Sequence, residues 1–193
     1  MKNVTVFCGS SSGTESIYST QATLLGRTLA KRNLKLIYGG AKVGLMGALA
    51  DGVLSGGGEI IGVLPHFLRS KEIAHEGLTE LILVDSMHER KTKMHELCDG
   101  IIALPGGFGT LEELFEILTW GQLGLHKKPV GLLNIKGFYD SLNMLLQTMV
   151  DKGFLKVINY RMLLISNDID DLLEKMDNYI APTIGKWINE ETA

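Results

Sequence analysis

Seven short apolar runs alternate with longer helical patterns along most of the 193-residue chain. Each run is nearly continuous in hydrophobic residues, which is typical of strands buried on both faces of a parallel sheet. Parallel strands need crossover connections, so the alternation predicts a doubly wound α/β fold with a mostly parallel sheet. The predicted strands are residues 4–8, 34–39, 59–64, 80–84, 100–104, 129–133 and 162–166, and the predicted helices are residues 14–32, 44–57, 86–98, 110–124, 138–152 and 168–180.

The domain organisation follows from what lies between these elements. No linker rich in Pro, Gly or Ser divides the chain, so we expect residues 1–193 to form a single domain. Residues 65–79 join two predicted strands without a clear long helix. A loop of this length in a compact domain is often functional.

Composition and charge exclude several classes of partner. The formal net charge is −3 and the sequence pI is near 6.0, so we expect no nucleic-acid partner. The longest apolar runs are far shorter than the ~18 residues that span a bilayer, so we expect no membrane partner. Cys8 and Cys98 are the only cysteines and indicate no disulfide framework, which favours a cytoplasmic protein.

Three predicted strands end in glycine-rich segments, at residues 8–13, 38–47 and 105–110. None is a Walker A loop, and the dinucleotide fingerprint also fails. The glycines of the second segment have the wrong spacing, and the next strand ends at Pro65 instead of an acidic residue, which argues against NAD. Backbone amides at the start of a helix can still bind a single phosphate. The alternative is that these segments are only tight turns.

The predicted helix 86–98 begins with a capping-box pattern at Ser86 and Glu89. Arg90 and Lys91 then lie near its first turn, where cations oppose the helix dipole at a cost of ~0.3–1 kcal/mol each. A nearby anion would offset that cost, and the alternative is a solvated basic face. Three potential metal ligands on this helix lack a second ligand pair, so no metal site is predicted from His88, His95 and Cys98.

Glu113 follows the third glycine-rich segment and has two possible roles. Thr110 and Glu113 match a capping box, in which Glu113 would only bond the Thr110 amide. Alternatively, a helix that begins at Thr110 places Glu113 ~4–5 Å along the axis from a phosphate at its N-terminus. A carboxylate there reaches the sugar of a bound nucleotide, where it can stabilise positive charge at the anomeric carbon or position a water. Glu112 and Glu116 are expected to face outward.

The segments "MHERK" (87–91) and "PGGFGTLEE" (105–113) together resemble the signature of the Lonely Guy (LOG) family, the cytokinin riboside 5′-monophosphate phosphoribohydrolases. The similarity extends through residues 8–11, 38–47 and 118–134, so it covers most of residues 3–150. The family pattern P-G-G-x-G-T-x-x-E is met in full at Pro105, Gly106, Gly107, Gly109, Thr110 and Glu113.

The resemblance implies a Rossmann-like, three-layer nucleotide-binding domain that acts as a homodimer. It also implies hydrolysis of the N-glycosidic bond of an N6-modified AMP to free base and ribose 5-phosphate, without metal or cofactor. Arg90 and Glu113 are the implied catalytic residues, and for Met87 the alternative is a packed core side chain. The residues assigned to substrate binding are Ser10, Gly40, Glu72, Met87, Lys91, Gly106, Gly107, Phe108, Gly109, Thr110, Leu111, Glu112 and Thr119.

Two other functions stay open at this point. The chain is either the expected hydrolase or a non-catalytic nucleotide-binding or carrier protein, and a hydrolase of the same chemistry could prefer plain AMP or other nucleoside monophosphates. Members of this family are often labelled lysine decarboxylases. A pyridoxal-phosphate enzyme needs a Schiff-base lysine and a partner for the pyridine nitrogen, and the sequence offers no such constellation.

Overall fold

The computed structural model describes residues 1–69 and 74–182, so Glu72 lies outside the described residues. Its centre is a seven-stranded parallel sheet in the order β4-β3-β2-β1-β5-β6-β7. This confirms the predicted parallel α/β architecture. The strands are β1 (Asn3–Phe7), β2 (Lys35–Tyr38), β3 (Ile60–Pro65), β4 (Glu80–Val84), β5 (Gly100–Ala103), β6 (Val130–Leu133) and β7 (Leu163–Ser166).

Helices cover both faces of this sheet and make the three layers. Buried residues of α1, α2 and α8 form a core with one face, and those of α4, α5 and α6 form a second core with the other. The helices are α1 (Ser16–Lys31), α2 (Gly44–Ser55), α3 (His66–Arg69), α4 (Met87–Leu97), α5 (Phe108–Gln122), α6 (Asp140–Asp151), α7 (Val157–Tyr160) and α8 (Ile169–Asp177).

All seven predicted strands and all six predicted helices are present, with ends within three residues of the prediction. The short helices α3 and α7 were not predicted, because four residues carry too little periodicity to recognise. Helix α3 lies in the 65–79 connection, which otherwise follows the prediction of no long helix. Within the part of the chain that the structure describes, no helix combines the length and the apolar character needed to cross a bilayer.

The strand order reverses between β1 and β5, and the loops that follow these two strands lie side by side. The Gly9 amide donates to the Pro105 carbonyl at 3.0 Å, which joins the two loops. Gly44 begins α2 at φ +59°, and a Cβ there would lie 2.3 Å from the Ser10 carbonyl carbon, so this glycine allows α2 to contact the first loop. In open α/β sheets, ligands bind in the crevice at such a reversal.

Candidate active site

A cavity of about 460 Å³ opens at this reversal, at the carboxyl edge of the sheet. Its walls come from the loops after β1 and β2, from the end of β3 with α3, and from the first turns of α4 and α5. Most of the wall is apolar, and among the residues that the structure describes its charged side chains are Arg90, Glu112 and Glu113. A mostly apolar pocket with a few converging polar groups is the usual form of a small-molecule site.

The start of α4 is fixed by the predicted capping box. The Ser86 hydroxyl accepts from the Glu89 amide at 3.1 Å, and Glu89 Oε2 accepts from the Asp85 amide at 2.8 Å. The second bond reaches one residue further back than the standard pattern, in which the N-cap amide is the donor. This cap holds the first turn of α4 at the mouth of the cavity and places Arg90 one turn inside it.

Arg90 and Glu113 form a buried ion pair across the cavity wall. Arg90 Nη1 donates to Glu113 Oε1 at 2.9 Å, and the two side chains are only 11% and 9% exposed. Arg90 Nε also donates to the Val63 carbonyl at 3.2 Å, which fixes the plane of the guanidinium. Burial raises the pKa of the Glu113 carboxyl above its ordinary value, and the positive charge of Arg90 opposes that rise. The site therefore holds one carboxyl and one cation in fixed positions.

Helix α5 begins two residues earlier than predicted, and this changes the role of Glu113. Gly107 is the N-cap, in an extended conformation and without a side-chain cap bond, so Thr110 lies inside the helix. The capping-box interpretation of Thr110 and Glu113 is therefore wrong. From Phe108 to Glu113 the rise is ~7.5 Å, more than the predicted ~4–5 Å.

The first turn of α5 offers its backbone to the cavity. The first bond within the helix runs from the Leu111 amide to the Gly107 carbonyl at 3.1 Å, so the amides of Phe108, Gly109 and Thr110 precede it. A Cβ on Gly107 or Gly109 would meet nothing within 4 Å, so there is open space beside these amides. The arrangement is suited to an anion.

Lys91 does not face the cavity as a free cation. Its ammonium lies 2.5 Å from Glu112 Oε1 and 3.0 Å from Glu116 Oε2, and its side chain is 11% exposed. The solvated basic face considered for α4 is therefore wrong for Arg90 and Lys91. The anions that offset their position near the helix start are the glutamates of α5.

The other predicted binding residues divide into two groups. Ser10, Met87, Gly107, Phe108, Gly109, Thr110 and Glu112 line the cavity. Met87 is 42% exposed, so the alternative of a packed core methionine is wrong. Gly106 lines an adjoining cavity of about 280 Å³, which shares Ser10 and Gly107 with the first.

Gly40, Leu111 and Thr119 are not part of the cavity wall. Gly40 has φ +76°, and its carbonyl accepts from the His75 amide at 2.9 Å, so it shapes the turn after β2. Thr119 lies further along α5, where its hydroxyl donates to the Phe115 carbonyl at 2.7 Å. It lines a separate apolar cleft against α6 and α7.

Several cavity residues were missed by sequence reasoning. Cys8 lies behind the ion pair, and burial together with the charge of Glu113 strongly raises the pKa of its thiol. Gly39 allows close approach, because a Cβ there would lie 2.3 Å from Arg90 Nη2. The glycine-rich strand end at 38–47 was a signal for Gly39. No sequence signal pointed to the Val63 carbonyl or to the apolar wall at Met46, Leu64 and Leu68.

Comparison with known proteins decides the family. A family model described as "Possible lysine decarboxylase" matches residues 46–176. The chain is also 45% identical, over 93% of its length and 84% of the relative's, to the cytokinin riboside 5′-monophosphate phosphoribohydrolase LOG2 of Arabidopsis thaliana. The chain belongs to the LOG family. A further member, the probable phosphoribohydrolase LOGL5 of Oryza sativa subsp. japonica, is 45% identical over 94% of this chain and 74% of its own.

Solved structures show the same fold as this LOG chain at lower identity. The molybdenum cofactor binding protein of Rippkaea orientalis superposes with a TM-score of 0.69 at 21% identity, covering 92% of this chain and 96% of its own. The molybdenum cofactor carrier protein of Chlamydomonas reinhardtii gives 0.69 at 22% identity, covering 91% and 96%. At these identities the likeness concerns the fold alone.

Two observations concern the residues that could hold a metal ion or pyridoxal phosphate in this LOG chain. Among residues 1–69 and 74–182, no three His, Cys, Asp or Glu side chains are grouped so that they could hold a metal ion. The described residues that line the cavity also include no lysine, the residue type that a pyridoxal-phosphate enzyme uses for its Schiff base.

Proposed function

We propose that this chain hydrolyses the N-glycosidic bond of an N6-modified AMP, giving a free adenine-type base and ribose 5-phosphate. The observation that carries the proposal is the buried Arg90–Glu113 pair, 2.9 Å apart, in a cavity that also contains the N-terminus of α5. The names of relatives at 43–46% identity support the same reaction.

The 5′-phosphate binds, in this proposal, at the first turn of α5. The amides of Phe108, Gly109 and Thr110 and the positive end of the helix dipole supply the anion site. Glycine at 107 and 109 lets phosphate oxygens approach the backbone closely. The ribose then extends along the wall toward Glu113, and the base reaches the apolar part formed by Met87, Leu64 and Leu68.

Glu113 acts on the anomeric carbon. Its carboxylate stabilises the positive charge that develops as the C1′–N9 bond breaks, and it accepts a proton from the attacking water. The water oxygen bonds to C1′ and the bonding electrons leave with the base. The base takes up one proton as Glu113 releases the one it accepted from water, so the carboxylate is regenerated. Arg90 keeps the buried carboxyl ionised, and its guanidinium supplies positive charge beside the departing base.

The remaining expectations belong to the same proposal. Glu72 contacts the substrate, and the protein is a cytoplasmic homodimer. Exposed apolar side chains on α5, α6 and α7 favour a dimer through the helices on one side of the sheet; they include Phe115, Met144, Leu145 and Val157. Thr119 lies in the cleft on that side, so its predicted contact with a nucleotide would need the cavity of a second protomer.

The test is a chromatographic assay of purified protein with N6-isopentenyl-AMP, AMP and a panel of other nucleoside monophosphates in the presence of EDTA. We expect free base from the adenine nucleotides, and loss of turnover in Glu113→Gln with nucleotide affinity largely kept. Glu96→Gln is the matched control, because Glu96 is an exposed α4 residue that pairs at the surface with Lys93 at 3.4 Å. Nucleotide binding without base release from any nucleotide would instead support the carrier function.

A further inference from the structure

Lys91 makes the second set of charged contacts between α4 and α5, next to the catalytic pair. Its ammonium lies 2.5 Å from Glu112 Oε1 and 3.0 Å from Glu116 Oε2, one turn apart on α5. We refer to these three residues as the Lys91 bridge. The family resemblance implied that Lys91 binds the substrate. Lys91 does not line the cavity, however, and its ammonium is already paired with two carboxylates.

Helix α5 needs this cation for its own stability. Glu112, Glu113 and Glu116 place three carboxyls within five consecutive residues, and like charges at i, i+4 repel each other. Glu116 Oε2 is buried and makes no hydrogen bond of acceptable geometry in the described part of the chain, although the Lys91 ammonium lies within ion-pair distance. The ammonium is therefore what compensates this buried charge. Burial lowers the pKa of Lys91, but the hydrogen bond to Glu112 and the negative charges of Glu112 and Glu116 outweigh burial and raise the pKa overall.

The charges of the Lys91 bridge act electrostatically on the Glu113 carboxyl. In the described part of the chain, the titratable groups that face Glu113 are Arg90 and Lys91 on α4, Glu112 on α5 and Cys8 after β1. After burial, which raises the pKa of Glu113, Arg90 lowers it, Glu112 raises it and Lys91 lowers it. Loss of Lys91 would leave Glu112 uncompensated beside the carboxyl that must be ionised.

We propose that Lys91 is a positioning residue, which joins α4 to α5 through Glu112 and Glu116 and screens Glu113 from the charge of Glu112 instead of binding the substrate phosphate. This inference rests on the proposed function, because it concerns the same carboxylate. The bridge holds the two helices in the register that keeps Arg90 and Glu113 in contact. It also keeps the acidic start of α5 compatible with an anionic ligand.

The test compares four proteins by kcat and KM against pH: wild type, Lys91→Met, Lys91→Arg, and the triple variant Lys91→Met/Glu112→Gln/Glu116→Gln. In Lys91→Met we expect the acid limb of the kcat profile to move up by about one pH unit, hence about a tenfold lower kcat on that limb. KM should change little. The triple variant, which has no unpaired bridge carboxylates, should regain the wild-type position of the acid limb, whatever its kcat on the plateau, because Glu112 also lines the cavity. Lys91→Arg should keep the acid limb close to that of wild type.

The matched control is Lys93→Met, which removes an α4 lysine whose partner Glu96 lies at the surface, and it should leave the profile unchanged. A role for Lys91 in binding phosphate predicts the opposite pattern. KM would then rise, the acid limb would stay in place, and the triple variant would not recover. Any of these results overturns the proposal. If Lys91→Met fails to fold, a triple variant that also fails to fold overturns it as well.

A second measurement separates this inference from the proposed reaction. The ¹³C signal of the labelled Glu113 carboxyl, assigned by its absence in Glu113→Gln, is followed through a pH titration without substrate. Its midpoint should rise in Lys91→Met and return in the triple variant. If the midpoint rises in Lys91→Met and returns in the triple variant while wild type releases no base, the proposed function is wrong but the role of the Lys91 bridge is supported. An unmoved midpoint refutes the bridge whatever the activity.

Discussion

Replacing Arg90 by Met tests how much the ion pair with Glu113 contributes to the free energy of unfolding. Met keeps the apolar stem but removes the cation 2.9 Å from Glu113, whose side chain is 9% exposed. A buried carboxylate without its partner costs about 3–5 kcal/mol. The carboxyl can avoid that cost by taking up a proton, so the penalty depends on pH.

The size of the penalty follows from the ordinary glutamate pKa near 4.3 in the unfolded chain. Each pH unit above it makes protonation about 1.4 kcal/mol more costly, which limits the penalty to about 4 kcal/mol at pH 7 and about 1 kcal/mol at pH 5. The folded pKa of Glu113 is raised, so the folded state binds more protons than the unfolded one between the two pKa values. Stability of Arg90→Met therefore falls as pH rises through this window.

The assay is urea unfolding of wild type, Arg90→Met, Glu113→Gln and the double variant at pH 5 and pH 7. We expect the midpoint of Arg90→Met relative to wild type to drop more at pH 7 than at pH 5, and the double variant to remove that difference. A penalty equal at both pH values, or one that persists in the double variant, would refute the electrostatic reasoning and leave only lost packing.

Two further predictions concern the surroundings of the pair. Gly39→Ala places a Cβ 2.3 Å from Arg90 Nη2, so the guanidinium must move. We expect about a 10²-fold loss of kcat, with a melting temperature near that of wild type. An unchanged kcat would contradict the close approach of residue 39 to Arg90. His95 packs edge-on against Trp120 at 5.2 Å and lies 4.9 Å from His126, and burial lowers the pKa of His95 to about 4. The unfolded chain then binds a proton that the folded one does not between about pH 6.5 and pH 4, so stability should fall on acidification across this range. His95→Phe should weaken that dependence in pH-resolved unfolding, and an unchanged slope would show that His95 is not its source.

Sequence reasoning went furthest where a local pattern decides the structure. Apolar strands at the centre of a parallel sheet are fixed by burial on both faces, and their ends were predicted closely. The start of α4 was also local, because Ser86 and Glu89 satisfy orphan amides within one turn.

The start of α5 shows where a local rule fails. Thr110 has the capping-box spacing to Glu113, but Gly107 takes the N-cap position. The Thr110 side chain is buried against Gly106, where a Cβ would lie 2.1 Å from the Thr110 hydroxyl oxygen. The close packing of the two loops, and not the preference of one residue, sets the helix boundary.

The sequence predicted which residues belong to the candidate site, but not which of them form ion pairs with one another. The family signature gave Arg90 and Glu113, yet their contact spans 23 positions and depends on how α4 packs beside α5. The same packing directs Lys91 to Glu112 and Glu116 instead of to the cavity. Glu72 lies outside the described residues, so its contact stays a prediction.

The most direct test of the whole account is the stoichiometry of products from N6-isopentenyl-AMP. Wild type is expected to give free N6-isopentenyladenine and ribose 5-phosphate in equal amounts in EDTA. A Glu113→Gln protein that still binds the nucleotide is expected to give neither product. Equal turnover in Glu113→Gln, or release of the nucleoside and phosphate in place of the base, would contradict it.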